Sequence, residues 1–287
     1  MGLDYRVARL LAKHVLLPHR PKSCVCLGRP HYTGVNKETA NLCQEFGIPL
    51  TAELLKGEYR HRFADDLLKA FGVARLEHMD VFSQEGATIL HDLNQSVGSD
   101  LHQQFDLIFD NGTLEHIFNV PQALENCAAM CSVGGHVVMV APANNMCGHG
   151  FFQFSPELFY RTFCEANGFS DTQVVLLEYG VRNRDFKVID PALRKERLEF
   201  INSSLVVMLG ISRKQRHKTP FWTEWPQQSD YVVYWEEAAQ ADKEKKLVGE
   251  ASRFEVFLLE NFPRFSRMLQ GLKFSAWNPR FKLRSNA

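Results

Sequence analysis

Short apolar runs alternate with segments of helical spacing along the first 215 residues, and this order is the strongest constraint on the fold. Most residues are apolar in each of the runs SCVCLG (23–28), FDLIFD (105–110) and HVVMVAPA (136–143). Such runs are typical of parallel strands covered on both faces, because a strand with one exposed face alternates apolar and polar residues. The pattern predicts an α/β protein with helices on both faces of a sheet.

The remaining elements follow from periodicity and from helix-stop residues. The expected strands are 23–28, 74–80, 86–94, 105–110 and 136–143, followed by a final pair, 172–180 and 204–214, that can include an antiparallel edge. The expected helices are 3–17, ended by Pro18 and Pro21, then 36–46, stopped by Gly47, then 62–70, 120–130 and 156–167. A turn is expected at Gly134-Gly135. We predict a domain over 1–215, which includes an N-terminal helix within 1–20, and an aromatic and helical extension over 216–287 packed on it.

The amino-acid composition indicates which kinds of partner and which cellular compartment to expect. Thirty-three Lys and Arg balance 33 Asp and Glu, so no global field favours nucleic acid or a membrane. No apolar run approaches the ~20 residues that a spanning helix needs. Seven cysteines without zinc-finger spacing predict free thiols in a reducing compartment, so we expect a cytoplasmic protein. The basic tail from Arg264 leaves nucleic acid as a minor alternative partner.

Polar residues or glycine follow four expected strands at the point where each ends. They are Gly28 with Arg29, Asp80, Asp92 and Asp110. Ligands of open α/β sheets bind beyond the carboxyl ends of the strands, so these residues predict a ligand crevice. The stretch LGRPHYTG lacks the G-x-G-x-x-G pattern that cradles pyrophosphate, and no P-loop pattern is present. A ligand without phosphates, such as S-adenosylmethionine (SAM), fits this pattern better.

Three motifs carry a family resemblance. They are QEGATILHDLN, FDLIFDNGTLEHIFNVPQALENCAAMCSVGGHVVMVAP and PANNMCGHGFFQFSPELFY, in chain order after Gly28 and Asp80. Over roughly residues 20–215 the chain resembles class I SAM-dependent methyltransferases. The first and third motifs are similar to a largely bacterial group of methyltransferases without a settled substrate. The resemblance implies a Rossmann-like methyltransferase sheet and SAM as the cofactor.

The resemblance also implies which residues contact the cofactor. The residues implied are Gly28, Arg29, Asp80, Asp92, Leu93, Asp110 and Asn111. Gly28 would lie under the methionine portion, Asp80 would bind the ribose diol, and Asp92 with Leu93 would flank the adenine. Asp110 would face the sulfonium. Arg29 could bond the methionine carboxylate, although the turn Gly28-Arg29-Pro30 departs from the G-x-G-x-G turn of most members.

Transfer to a hydroxyl acceptor requires a base, and histidine is the natural choice near neutral pH. His116 follows the fourth strand, and His149 lies in the loop PANNMCGHGFFQFS. We expect His149 to be a base or an orienting residue, with a structural role in the loop as the alternative. His116 is the second catalytic candidate, with helix packing or capping as its favoured single role. The residues expected to bind the acceptor are Asn144, Asn145, Phe151 and Gln153.

A divalent metal is a less favoured alternative, and the predicted site includes no metal ligand. Some methyltransferases similar to this chain hold an ion with E-x-x-E-H and a distant histidine. Glu115, His116 and His149 match part of that pattern, but Gly112 stands at the first glutamate position.

The predicted function is transfer of a methyl group from SAM to a small hydroxylated metabolite or glycosyl group in small-molecule biosynthesis. Oxygen is the preferred acceptor atom, with nitrogen as the alternative. A catalytically silent methyltransferase-like scaffold acting through protein partners is the rival, followed by a nucleotide-sugar or NAD-binding Rossmann enzyme. A homodimer is left open. The aromatic segment 221–235 either roofs the acceptor pocket or packs in the core.

Overall fold

The computed structural model describes residues 2–56, 62–194 and 198–235. The strands are β1 Ser23–Leu27, β2 Arg75–Asp80, β3 Ile89–Leu90, β4 Phe105–Asn111, β5 Cys131–Asn144, β6 Phe169–Tyr179, β7 Arg184–Val188 and β8 Leu205–Lys214. The α-helices are α1 Tyr5–Leu11, α2 Leu17–His19, α3 Asn36–Phe46, α4 Ala52–Leu55, α5 Asp65–Ala70, α6 Val120–Met130, α7 Pro156–Thr162 and α8 Pro191–Arg194. A π-helical turn, Ala12–Leu16, joins α1 to α2. Single 3-10 turns cover Ser99–Leu101, Leu114–His116 and Glu165–Asn167.

The described strands form one sheet in the order β3-β2-β1-β4-β5-β8-β6-β7. Strands β3, β2, β1, β4 and β5 are parallel, whereas β8 is antiparallel to both of its neighbours and β7 is antiparallel to β6. The order 3-2-1-4-5 is that of a doubly wound sheet, so the expected Rossmann-like α/β fold is confirmed. The strand order reverses between β1 and β4. This switch point is where such sheets bind ligands.

Helices cover both faces of the sheet. Cys24 and Cys26 of β1 are in register with Leu107 and Phe109 of β4, and these four side chains share a core with α1, α3 and α5. The residues between them alternate to the opposite face, where α6 packs on β4 and β5, and α7 packs on β6 and β8. Each fully buried Leu or Phe in such a core contributes about 2 kcal/mol. The two-sided burial explains why the strands read as continuous apolar runs.

Several boundaries differ from the expected ones. The N-terminal helix does not end at Pro18: the chain runs from α1 through the π-helical turn Ala12–Leu16 directly into α2, which contains Pro18. It ends at Arg20, which has a φ of +47°. The third strand covers only Ile89–Leu90, because a turn at Asp92 follows it. No turn separates α6 from β5 at Gly134-Gly135; the chain continues as strand there, with Gly134 at φ +87° and a break in the β4–β5 register.

Other differences lie in the second half of the chain. The helix expected over 156–167 ends at Thr162 and is followed by the 3-10 turn Glu165–Asn167. Strand β7 and helix α8 were not expected, because their sequence carries no clear apolar period. Of the expected C-terminal extension, residues 236–287 lie outside the described residues.

The chain divides into two compact units, Met1–Val188 with Ser204–Pro226, and Ile189–Ser203 with the residues from Gln227 onward. The first contains the whole sheet. In the second, Asp190 accepts a hydrogen bond from the N–H of Ala192 at the start of α8, and residues 229–235 are helical. Among the described helices, none combines the length and apolar character needed to cross a membrane. All seven cysteines are free thiols.

Candidate active site

The carboxyl ends of β1, β2 and β4 meet at one edge of the sheet. Leu27, the last residue of β1, pairs in register with Met79 of β2 and with Asp110 of β4. Gly28 follows Leu27 and Asp80 follows Met79, so the structure brings Gly28, Asp80 and Asp110 together beside the switch point. This edge is the candidate active site.

The turn after β1 depends on a glycine. Gly28 has a φ of +69°, and its N–H donates to the carbonyl of Met79 at 2.7 Å. A Cβ at position 28 would lie 3.0 Å from Oγ1 of Thr113, whose hydroxyl donates to the carbonyl of Leu27 at 2.6 Å. The loop after β4 therefore lies directly against the end of β1, and the glycine leaves the backbone bare at that point.

Arg29 is held by an acidic partner that sequence reasoning missed. Its Nη2 lies 2.8 Å from Oδ2 of Asp65, its Nη1 donates to the carbonyl of Glu85 at 2.9 Å, and its guanidinium stacks 3.9 Å above the ring of Phe63. Asp65 is the first residue of α5, where an acidic side chain suits the helix dipole. Its place at the start of a helix was the only feature of the sequence that could have drawn attention to Asp65. A contact between Arg29 and a cofactor carboxylate remains a prediction.

Asp65 also binds His78 on β2, with 3.3 Å between Oδ2 and Nε2. Burial alone would raise the pKa of Asp65, but the hydrogen bonds from His78 and Arg29 outweigh it and hold that pKa well below its usual range. Burial opposes a charge on His78 as well, yet hydrogen bonds with Asp65 and with Cys26 raise the pKa of His78 to about 9. The turn after β1 is therefore anchored by a charged Arg–Asp–His network.

The acidic residues after β2 and β3 differ in setting. Asp80 is partly exposed, and its Oδ1 accepts from the N–H of Phe82 at 3.3 Å. Asp92 is exposed, and its Oδ1 accepts from both the backbone and the side-chain nitrogens of Asn94. Leu93 is buried. Asp80 is thus the residue of this group that combines a position at the switch point with access to solvent.

Asp110 is almost completely buried and stabilises the turn that follows β4. Its Oδ1 accepts from the N–H groups of Thr113 and Leu114 at 2.9 and 3.3 Å, whereas its Oδ2 has no hydrogen-bond partner among the described residues. Burial, and then the neighbouring Glu115, raise the pKa of Asp110 well above its usual value. Asn111 is buried beside it. A neutral Asp110 would not offset a sulfonium charge as a carboxylate would, so that implied role remains a prediction.

Three groups with lone pairs converge just beyond β4, in what we call the Glu–His–His cluster, Glu115, His116 and His149. Oε1 of Glu115 lies 3.2 Å from Nε2 of His149 and 3.9 Å from Nε2 of His116. The Glu115 side chain has no exposed surface, and its burial raises its pKa. Burial lowers the pKa of His149, which favours a neutral imidazole. The two imidazole rings meet edge to face, with 5.4 Å between their centres.

The loop that carries His149 is fixed to the backbone of Glu115. The N–H groups of Phe151 and Phe152 donate to the carbonyl of Glu115 at 2.7 and 3.3 Å. Gly150 has a φ of +80°, and a Cβ there would lie 2.6 Å from the same carbonyl oxygen. Gly150 therefore lies at the point where the loop approaches the Glu115 backbone most closely.

The amides expected to bind the acceptor make hydrogen bonds within their own loop and to the residue before β8. Oε1 of Gln153 accepts from the N–H of Met146 at 2.9 Å, and the Asn145 amide donates to the carbonyl of Ser204 at 2.7 Å. Oδ1 of Asn144 accepts from the N–H of Asn145. These contacts shape the loop, and contact with an acceptor remains a prediction for all three amides.

An aromatic cluster lies beside these groups, formed by Phe118, Phe151, Phe152 and Phe154. Phe118 and Phe151 are largely exposed, with 5.8 Å between ring centres, and Phe152 contacts both. Phe154 is buried under Phe152. Phe151 was expected at the site from sequence, whereas Phe118 was not, because a lone phenylalanine before α6 carries no signal of its own. Exposed phenylalanines next to polar groups are suited to bind a ring.

The aromatic residues after β8 differ in their contacts: some pack in the core and others lie nearer the surface. Phe221 is buried and packs against Phe169 of β6, which is a core contact. Trp222 donates from Nε1 to the carbonyl of Pro121 at 3.3 Å. In the second compact unit, Tyr231 and Trp235 contact each other.

A cavity of about 170 Å³ lies at the other edge of the sheet, near the carboxyl end of α6, and is lined by residues that include Asn126, Lys214, His217 and Phe221. Its buried cation, Lys214, already donates to the carbonyls of Ala128 and Cys131, both at 2.7 Å. Lys214 therefore caps the end of α6.

Two methyltransferases of known structure are similar to this chain. No family model and no curated protein matches the chain. Among solved structures, similarity is found to a SAM-dependent methyltransferase from Thermotoga maritima (13% identity, covering 74% of this chain and 90% of that one, TM-score 0.37). It is also found to 1,6-didemethyltoxoflavin-N1-methyltransferase from Burkholderia thailandensis, whose structure contains S-adenosylhomocysteine (16% identity, 73% and 79%, TM-score 0.35).

Proposed function

We propose that this chain is a SAM-dependent methyltransferase that acts on a small hydroxylated metabolite or glycosyl group, with oxygen as the preferred acceptor atom and nitrogen as the alternative. The observation that carries the proposal is the register of β2, β1 and β4, which aligns Gly28, Asp80 and the loop after Asp110 at the switch point. We expect the protein to act in the cytoplasm.

The described residues suit a nucleoside without phosphates. Gly28 leaves the backbone of the first turn bare, and the partly exposed carboxylate of Asp80 can accept hydrogen bonds from both hydroxyls of a ribose. Leu93 and Asp92 follow β3, where we expect them to flank the adenine. A pyrophosphate would instead need a cradle of glycine N–H groups, which the turn Gly28-Arg29-Pro30 does not supply.

When bound, SAM supplies a methyl group that leaves sulfur with the bonding electron pair remaining on sulfur, while the acceptor oxygen bonds to the carbon. The protein contributes mainly by placing the acceptor in line, since positioning provides most of the rate in such displacements. The acceptor also loses a proton. His149, neutral and held 3.2 Å from Glu115, is placed to assist that loss. If His149 is the free base, a chelator would leave the activity unchanged, whereas a cation held by the imidazole would be removed together with its contribution.

The acceptor would lie against the exposed rings of Phe118 and Phe151, which flank the Glu–His–His cluster. Aromatic faces bind both planar rings and the apolar faces of sugars. This arrangement supports an acceptor that combines a ring with at least one hydroxyl group.

Calorimetric titration with S-adenosylhomocysteine (SAH) tests the proposal. We expect one site, and we expect Asp80→Asn to weaken binding by about tenfold to a hundredfold, as loss of charged hydrogen bonds worth about 1.5–3 kcal/mol requires. Asp100→Asn is the control, because Asp100 is exposed and precedes β4 at the opposite edge of the sheet. Absence of heat from millimolar SAH with folded wild-type protein would end the proposal.

A silent scaffold is the second candidate, and the turn after β1 favours it. The carbonyl of Pro30 accepts from the N–H of Ala64, the N–H of Tyr32 donates to Arg62, and Arg29 is paired with Asp65. These contacts occupy groups that could otherwise meet a cofactor. A thermal-shift panel of SAM, SAH, NAD and UDP-sugars separates the candidates, because a ligand that binds only the folded state raises the melting temperature. No shift with any ligand, together with an obligate heteromer in gel filtration, would support the scaffold.

A further inference from the structure

The Glu115 carboxyl has an unusual environment for a buried charged group. Its side chain is fully buried, yet neither oxygen has a hydrogen-bond partner among the described residues. The 3.2 Å approach of His149 does not have hydrogen-bond geometry. Buried carboxylates are almost always hydrogen-bonded, paired or bound to a metal, because an unsatisfied buried polar group costs several kcal/mol. A binding partner for Glu115 is therefore missing from the protein atoms alone.

The two neighbouring imidazoles, of His116 and His149, provide nitrogen ligands for a cation beside the Glu115 carboxyl. One carboxylate oxygen of Glu115 and one ring nitrogen each of His116 and His149 lie within 4.8 Å of one another. Ligand atoms that share one ion at about 2.0–2.2 Å lie roughly 3–3.5 Å apart. A closure on the order of 1 Å would bring the three donors to that spacing, and half-exposed His116 has the freedom to move.

We propose that Glu115, His116 and His149 bind one divalent transition-metal ion. Two imidazoles with one carboxylate favour Zn²⁺, Fe²⁺, Mn²⁺ or Co²⁺ over Mg²⁺ and Ca²⁺, which prefer oxygen ligands. Three protein ligands leave coordination positions open, as in catalytic rather than structural sites. The ordered loop supports this arrangement, because the hydrogen bonds from Phe151 and Phe152 to Glu115 fix the backbone of His149 relative to the carboxylate.

The binding of the ion does not depend on the proposed function, but its role in methyl transfer does. A cation held there would act as a Lewis acid toward an acceptor hydroxyl and lower its pKa. In that case His149 serves as a ligand and not as the free base.

The test uses the full-length chain, stripped of metal by a chelator and titrated with Co²⁺ and Zn²⁺ in the absence of SAM and acceptor. Ligand-field absorption of Co²⁺ reports nitrogen and oxygen coordination, and calorimetry gives the stoichiometry for Zn²⁺. We expect one ion per chain, and we expect Glu115→Gln, His116→Asn and His149→Asn each to weaken binding at least tenfold. His116→Asn is the safest of the three for folding, because this side chain is half exposed.

Two control variants address other sources of binding. Cys147→Ser must retain affinity, because Cys147 is an exposed thiol in the same loop and could capture the ion itself. His91→Asn changes a histidine in the loop after β3 and must also bind like the wild type. The proposal is overturned if the wild type binds no Co²⁺ at micromolar concentration, or if His116→Asn binds as tightly as the wild type. SAH binding by the metal-free chain without Co²⁺ binding would reject this inference alone, whereas the converse result would reject the proposed function alone.

Discussion

Nε2 of His149 lies 3.2 Å from Oε1 of Glu115, although 34 positions separate the two residues in sequence. The adjacency of β4 and β5 creates this contact, because each residue lies in the connection that follows one of these two strands. Two hydrogen bonds from the His149 loop to the carbonyl of Glu115 then hold the loop in place. The position of the His149 imidazole therefore depends on the pairing of β4 with β5 as well as on the conformation of its own loop.

Replacement of Gly150 tests how strongly this loop is held. Gly150→Ala should lower the free energy of unfolding by about 1–3 kcal/mol, because a side chain is strained at φ +80° and its Cβ would lie 2.6 Å from the Glu115 carbonyl. Gly148→Ala is the matched control, since no atom lies within 4 Å of a Cβ at that position. Urea denaturation compares the two variants. Equal stability would contradict the described loop geometry.

Gly28 gives a test of the proposed cofactor site. Gly28→Ala should weaken SAH binding at least tenfold, or about 1.4 kcal/mol, because the bare turn would be lost and the Cβ would press on Thr113 at 3.0 Å. Gly47→Ala provides the comparison: Gly47 has nearly the same φ, +66° against +69°, but ends α3 away from the switch point. Both variants should lose stability because each places a side chain at a positive φ, with the larger loss in Gly28→Ala, and only Gly28→Ala should change SAH affinity in calorimetry. A loss of affinity in both would indicate a general effect of folding.

The Asp65–His78 pair predicts a dependence of stability on pH. In the folded protein the pKa of His78 is raised to about 9 from its ordinary value of about 6.5. The stability that the protonated His78 contributes is therefore fully present below about pH 6.5 and is lost as the pH rises through about 9. The pKa of Asp65 is lowered, so its contribution is lost in acid, below about pH 4. The neighbouring Cys26 stays a thiol, because hydrogen bonding to Cys24 and burial raise its pKa well above the usual value.

Urea denaturation at several pH values measures this effect. Wild-type stability should fall on the order of 2 kcal/mol more between pH 6 and pH 9 than that of His78→Asn. His91→Asn should follow the wild-type curve. Parallel curves for the wild type and His78→Asn would show that the pair carries no linked proton.

Lys214 should be important for stability despite its distance from the site. Its ammonium is buried and donates to the carbonyls of Ala128 and Cys131. Lys214→Met would leave both carbonyls without this donor, so we expect a loss of about 2 kcal/mol or more in the free energy of unfolding. Lys69→Met, on an exposed position of α5, should stay within about 0.5 kcal/mol of the wild type. SAH affinity should not change in either variant.

The elements and the sheet edge could be predicted from sequence because they depend on local patterns. Buried strands are apolar on both faces, and the polar residues after parallel strands necessarily meet at one edge, so Gly28, Asp80 and Asp110 were found together. The two-residue strand Ile89–Leu90 shows the limit of this reasoning: an apolar run in GATILHDLN has strand composition, but the turn at Asp92 ends its pairing early.

Pairing between distant side chains could not be predicted in the same way. The partner of Arg29 is Asp65, 36 positions away, and no local pattern distinguishes it from the adjacent Asp66. The burial of the Asp110 side chain could not be predicted either. The sequence around an aspartate at the end of a strand is the same whether its carboxyl faces solvent or accepts hydrogen bonds from the next turn. His149 and Glu115 were each noticed, but their contact depends on the loop geometry set by Gly150.

Strand β8 lies between β5 and β6 and bonds to both, although it follows them in the chain. During synthesis β5 and β6 leave the ribosome well before residues 205–214, so for that interval each has an edge of free N–H and C=O groups. The nascent chain must keep these two edges from other strands, either by delay of collapse or by chaperone binding. A chain truncated just before Leu205 would lack the strand that joins β5 to β6, and its sheet would be open in the middle.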